Sequence, residues 1–177
     1  MSETQKNTQK KTDEVPAVAS RHKISLVELI LILLLVGLVF VFIFGMKQLK
    51  TDKKAEGFAK TKFEAILPVL QTAIDAAEAF KRTDDFGDYP FDFGQLNLTA
   101  TDDYAINSDA EGVQYIETND FKILYDAENF GFTTITKDEF GKAGIKVIYI
   151  LAERSYKVED PTPDRKPTIR DEWLPQN

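Results

Sequence analysis

Residues Ile24 to Met46, ISLVELILILLLVGLVFVFIFGM, are apolar or small throughout except for one carboxylate, Glu28. A helix needs roughly 20 apolar residues to cross a hydrocarbon core about 30 Å thick, so this run is long enough to span. It is too long for the apolar core of a secretory signal, and Gly45-Met46-Lys47-Gln48 lacks the small residues of a cleavage site. A buried core helix rarely sustains so many Leu, Ile, Val and Phe without a polar face. The expected plan is a polar tail (1–23), a transmembrane helix (24–46), and a domain beyond it. An acid costs up to about 3 kcal/mol in such a helix, and less near its end. Glu28 is therefore expected either to pair with Arg21 or Lys23, or to snorkel to the headgroups.

The rest of the composition narrows function. Net charge is -7 and most of the acid excess follows the span, which argues against a nucleic-acid partner. The chain has no cysteine, and its one histidine, His22, lies beside the span. A zinc cluster, a Ser-His-Asp triad and a Cys-His pair are thus excluded, and no phosphate-binding glycine loop is present. Arg21, His22 and Lys23 precede the span, while Lys47, Lys50, Lys53 and Lys54 follow it. This balance does not decide the orientation by charge.

Beyond Lys47 the helix is expected to continue to Thr83 as an amphipathic segment. Ala59, Phe63, Ile66, Leu70, Ala73/Ile74, Ala77 and Phe80 recur at spacings of three and four. Pro68 should kink this helix without ending it, because the stripe resumes in phase. Gly87, Pro90 and Gly94 then mark an aromatic loop and connector, 84–111. Four β-type runs follow within 112–151: 112–116, 120–126, 130–136 and 144–151. Short connections favour antiparallel pairing. The proline-rich remainder, 152–177, reads as irregular, with Trp173 and Leu174 as candidate anchors.

In order along the chain stand a basic stop, I-S-L-V-E-L at Ile24 to Leu29, an apolar helix that becomes amphipathic, the loop G-D-Y-P-F-D-F-G-Q-L at Gly87 to Leu96, and a β-meander. This arrangement resembles the type IV pilins and type II secretion pseudopilins. Gly37 stands where the family's helices carry a glycine, and Gly45 where they usually carry a helix-breaking proline. The resemblance implies leader cleavage between Lys23 and Ile24, with methylation of Ile24. The sequence departs from the family there, because Lys23 occupies the position of a glycine or other small residue. Gly37 and Gly45 are expected to ease local melting of the helix or to act as small contact points for a neighbouring helix. Some pseudopilins hold calcium in a late loop. No cofactor is expected; the carboxylates that could bind calcium are Asp84, Asp85 and Asp88, or Asp160, Asp164 and Asp171.

The expected fold is α+β, a long N-terminal helix on an antiparallel sheet of about four strands. Burying Phe63, Ile66, Leu70, Ile74 and Phe80 would contribute roughly 1.5 to 3 kcal/mol per large side chain before entropy. The expected function is non-enzymatic: a pilin-like or pseudopilin-like subunit, or a membrane-anchored accessory of a type IV pilus or type II secretion assembly. It would lie in the inner membrane with a cytoplasmic N-terminus and a periplasmic or extracellular domain. Its partners would be the bilayer and other pilin-like subunits or platform proteins, in a homo- or hetero-oligomer. The alternative is a solitary single-pass membrane protein with a small extracytoplasmic binding domain.

Overall fold

The computed structural model describes residues 25–175, in two units, one ending at Ile43 and the other beginning at Phe44. The first unit is helical, and every described side chain in it is exposed. Its residues belong to α1, Leu26–Thr83, whose N-terminal part is long and apolar enough to cross a membrane.

In the second unit α1 packs with a six-stranded antiparallel sheet, so the fold is α+β. AIDAAEAF has strong helix propensity, and Lys81 and Arg82 suit the negative end of the dipole in the last turn. Thr83 Oγ1 donates back to the Phe80 carbonyl at 3.0 Å, and Gly87 (φ +72°) follows in the left-handed region. The helix runs through Pro68, which is exposed and so loses its hydrogen bond on the side away from the sheet. Ala59, Phe63, Ile66, Leu70, Ala73, Ile74 and Ala77 are buried, as the spacing predicts. Val69 joins them, whereas Phe80, near the helix end, is only half-buried.

The strands are β1 Ala105–Ser108, β2 Gln114–Glu117, β3 Phe121–Asp126, β4 Gly131–Thr136, β5 Lys146–Ile150 and β6 Ser155–Glu159. Each pairs with its neighbour in sequence, so the sheet is a simple meander. Side chains alternate between the two faces with period two. Phe121, Ile123 and Tyr125 of β3, Phe132 and Thr134 of β4, and Val147 and Tyr149 of β5 are buried. Their neighbours Lys122, Leu124, Thr133 and Ile148 on the other face are half-buried.

The strand count differs from the expected four. β1 lies inside what the sequence presented as a connector, and its AINS has a single large apolar residue, Ile106. β6 lies inside the segment read as irregular. Its Tyr156 and Val158 alternate with Ser155, Lys157 and Glu159, a pattern short enough to be masked by the surrounding charge. Both are edge strands, which proteins keep short and charged.

The β3–β4 turn constrains the sheet most tightly. Asp126 Oδ1 accepts from the Glu128 and Asn129 amides, both at 3.0 Å, and Phe130 adopts a left-handed φ of 45°. A Cβ on the next residue, Gly131, would stand 2.4 Å from the Tyr149 carbonyl oxygen, a backbone atom with little freedom to move. Gly131→Ala is expected to destabilise the domain by about 1–3 kcal/mol through this overlap. Thermal unfolding of the full chain in detergent, followed by the near-ultraviolet signal of Trp173, measures it.

Candidate functional site

Glu28 does not stand alone at the head of α1. The Ser25 amide donates to Glu28 Oε2 at 2.8 Å, and the Glu28 amide donates to Ser25 Oγ at 3.2 Å. This is a reciprocal capping box, in which each side chain satisfies a backbone donor that the first helical turn leaves free. The carboxylate thus lies in the first turn of the helix, beside the amides that have no partner within the helix. The signal was present in the sequence as S-x-x-E ahead of an apolar run. Arg21 and Lys23, the expected pairing partners, and Ile24, with Lys23 the expected cleavage boundary, lie outside the described residues.

Gly37 and Gly45 are both helical, and a Cβ at either would meet nothing within 4 Å. Gly37 opens a shallow apolar notch lined by Ile30, Leu33, Leu34, Leu38 and Val41.

The loop after α1 is held from several sides. Asp84 Oδ2 accepts from the Phe86 and Asp88 amides at 3.0 and 3.1 Å. Asp92 caps a short 3-10 helix, Phe93–Leu96, by accepting from Gln95 N. Tyr89 is buried against Phe130, with ring centroids 5.7 Å apart, and Lys81 Nζ stands 4.0 Å from its ring centre. The Tyr125 hydroxyl donates to the Pro90 carbonyl at 2.6 Å. Burial, with the nearby Asp126 carboxylate adding to it, pushes that hydroxyl up to about 12, so it remains a donor. Against this fixed backbone, Phe86 and Phe91 are exposed.

The two acidic sets, Asp84, Asp85 and Asp88, and Asp160, Asp164 and Asp171, do not form a metal site. Asp84 serves its own loop, Asp160 faces a lysine, and no group of three or more Asp, Glu or His side chains among the described residues could hold a metal ion. Sequence proximity in a loop does not aim carboxylates at a common point.

What occupies that region instead is a buried ammonium that the sequence did not single out. Lys142, with a side chain only 3% exposed, lies 2.6 Å from Asp160 Oδ1. Its Nζ also donates to the carbonyls of Thr162 at 2.5 Å and Arg165 at 2.8 Å. Its three donors thus tie the chain after β6 to the loop before β5. Further along, Glu56 of α1 accepts from Arg170 Nη2 at 2.5 Å and lies 2.8 Å from Lys166 Nζ. The hydrogen bond from Lys166 holds the Glu56 carboxyl below its ordinary value of 4.5, with both cations adding to that pull and partial burial opposing it. Ile169 is buried, and Trp173 packs on Phe63 with ring centroids 6.4 Å apart. The segment expected to be irregular is therefore fastened to both the helix and the sheet.

No family model matches the chain, and no curated protein or solved structure matches it either.

Two outcomes follow from the fastenings. Lys142→Met leaves the Asp160 carboxylate and two carbonyls without their donor, and should cost about 3–5 kcal/mol. The double variant Lys142→Met/Asp160→Asn should recover part of that loss in thermal unfolding of the full chain. Glu56 has a depressed folded value, so its pairing stabilises fully above pH 4.5 and is lost as pH falls through that lower value. The midpoint of unfolding should therefore drop with acidification below pH 4.5, and Glu56→Gln should lower it at neutral pH while flattening that dependence.

Proposed function

We propose that this chain is a non-enzymatic, membrane-anchored subunit of a pilin-like or pseudopilin-like assembly, serving a type IV pilus or a type II secretion system as subunit or accessory. On this reading it sits in the inner membrane, with its N-terminus cytoplasmic and its domain periplasmic or extracellular. The observation that carries the reading is the order of parts. An apolar helix opening on Ser25 and Glu28 continues as the spine of an antiparallel meander, with a Tyr-Pro loop between helix and sheet. The face of α1 turned away from the core supports it as well. Phe58, Thr61, Ala65 and Thr72 are exposed there, and at 100° per residue they fall on one side. Small residues beside one aromatic suit close contact with a neighbouring helix.

The alternative, a solitary single-pass protein with an extracytoplasmic binding domain, has one observation in its favour. Phe86 and Phe91 are held exposed on an ordered loop, and Phe91 borders a cleft with Ser108, Val113 and Tyr125. An ordered exposed aromatic is a ready contact for a partner.

Crosslinking separates the two. The chain has no cysteine, so Ala65→Cys places a single thiol on the free face of α1. In native membranes the assembly reading expects thiol adducts with further copies or with other single-span subunits. Glu28→Gln should weaken those adducts while leaving insertion intact. A chain that remains monomeric under crosslinking would falsify the assembly reading and favour the alternative.

A further inference from the structure

Four lysines follow the apolar run, and the folded domain makes no use of them. Lys47, Lys50, Lys53 and Lys54 are exposed, and none joins any of the ion pairs among the described residues. Other lysines of the same unit behave differently: Lys62, Lys137, Lys142 and Lys166 each hold a carboxylate. Two acids lie in or beside this stretch. Asp52 accepts from the Gln48 side chain at 3.0 Å, and Glu56 faces Lys166 and Arg170. Over Lys47 to Lys54 four ammonium groups meet one carboxylate, Asp52, which at 100° per residue falls on the opposite side of the helix, so the stretch keeps a net positive charge.

Helical geometry gathers that charge. At 100° per residue Lys47, Lys50 and Lys54 fall within an arc of about 60°, while Lys53 lies to one side. At ~1.5 Å of rise per residue, Lys50 stands ~6 Å beyond Met46 along the axis, and Lys54 ~12 Å. A headgroup layer is about 5–7 Å thick on each side of the hydrocarbon. Lys47 and Lys50 are then at headgroup level, and Lys54 is within a Debye length of about 8–10 Å from it. We infer that Lys47, Lys50 and Lys54 form a binding face for anionic phospholipid headgroups in the leaflet from which the span emerges. The inference rests on Ile24 to Met46 spanning the bilayer. That continuity favours lipid over an acidic protein, because the headgroups are already beside these ammonium groups whereas a protein must be recruited. Surface charge of this kind is screened by salt.

The test uses the full chain with Thr51→Cys, an exposed position beside the face, labelled with an environment-sensitive fluorophore. The protein is reconstituted in phosphatidylcholine vesicles and in equal mixtures of phosphatidylcholine and phosphatidylglycerol, each with headgroup-spin-labelled lipid as quencher. Insertion is scored separately by resistance to alkaline extraction, and folding by the fluorescence of Trp173. The expected result is several-fold stronger quenching in the anionic vesicles, reversed by high salt and abolished by Lys47, Lys50 and Lys54→Gln. A control removing equal charge elsewhere, Lys122, Lys146 and Lys157→Gln, should leave quenching unchanged. Insertion with equal quenching in both lipids, or quenching that survives the first triple variant, overturns the lipid face alone. A shielded label in native membranes but not in anionic vesicles also overturns it, and assigns the face to a protein. Failure to insert in either lipid overturns the spanning reading and the inference with it.

Discussion

Phe63 is the point at which helix, sheet and C-terminal segment meet. It is fully buried, and its ring lies 6.4 Å from both Phe121 of β3 and Trp173 near the C-terminus. An amphipathic helix and a single sheet each carry one apolar face that cannot remain in water. Here each covers the other: the stripe from Ala59 to Ala77 meets the inner face built by Ile116, Ile123, Phe132 and Val147. Polar contacts then fix how the two surfaces meet. Lys62 of α1 donates to Asp120 at 2.6 Å and to the Glu139 carbonyl, so the helix is tethered beside β3 at the level of Phe63.

The C-terminal segment completes this arrangement by charge as well as by packing. Its prolines withhold backbone donors, and among the described residues it forms no further strand after β6. Its order comes from Lys142 gathering one carboxylate and two carbonyls, from Glu56 facing Lys166 and Arg170, and from Ile169 and Trp173 packing on the core. A buried ammonium with all its donors used is costly to disturb, because each partner would be left unpaired in a poorly solvated place.

Periodicity in the sequence carried the parts that bury a continuous face. The α1 stripe and strands β3 and β5 were legible because their apolar residues repeat without interruption, and β4 because its β-branched and aromatic residues are bounded by a glycine turn. β1 and β6 were not, because an edge strand buries one side of a short run and its charges resemble those of a loop. The fastenings of the C-terminal segment were illegible for a different reason. Lys142 and Asp160 are 18 residues apart, and Glu56 and Arg170 are 114 apart, so no local pattern links them. Acidic residues close in sequence suggested an ion site, yet the fold spends Asp84 on its own loop and Asp160 on a lysine. Ser25 and Glu28 stand in the sequence at the spacing of a capping box, but the rarity of an acid in an apolar helix pointed instead to pairing with Arg21 or Lys23 or to snorkelling.

The capping box changes what the acid implies about the span. A carboxylate in mid-helix would have to be matched by a buried cation, whereas one in the first turn accepts from Ser25 and lies at the positive end of the dipole. Only Oε2 is taken by the Ser25 amide, so Oε1 is still able to accept from a cation at the membrane surface. Capping and pairing are therefore compatible roles, not rivals. If Ile24 to Met46 crosses the bilayer as one helix, its 18 uncharged residues from Leu29 to Met46 measure ~27 Å at 1.5 Å per residue. That lies close to a hydrocarbon thickness of about 30 Å, a mismatch small enough for flanking side chains to absorb. On this account the acid helps set the depth of the helix, because sinking it further would draw Glu28 into hydrocarbon and pull Lys47 away from the headgroups.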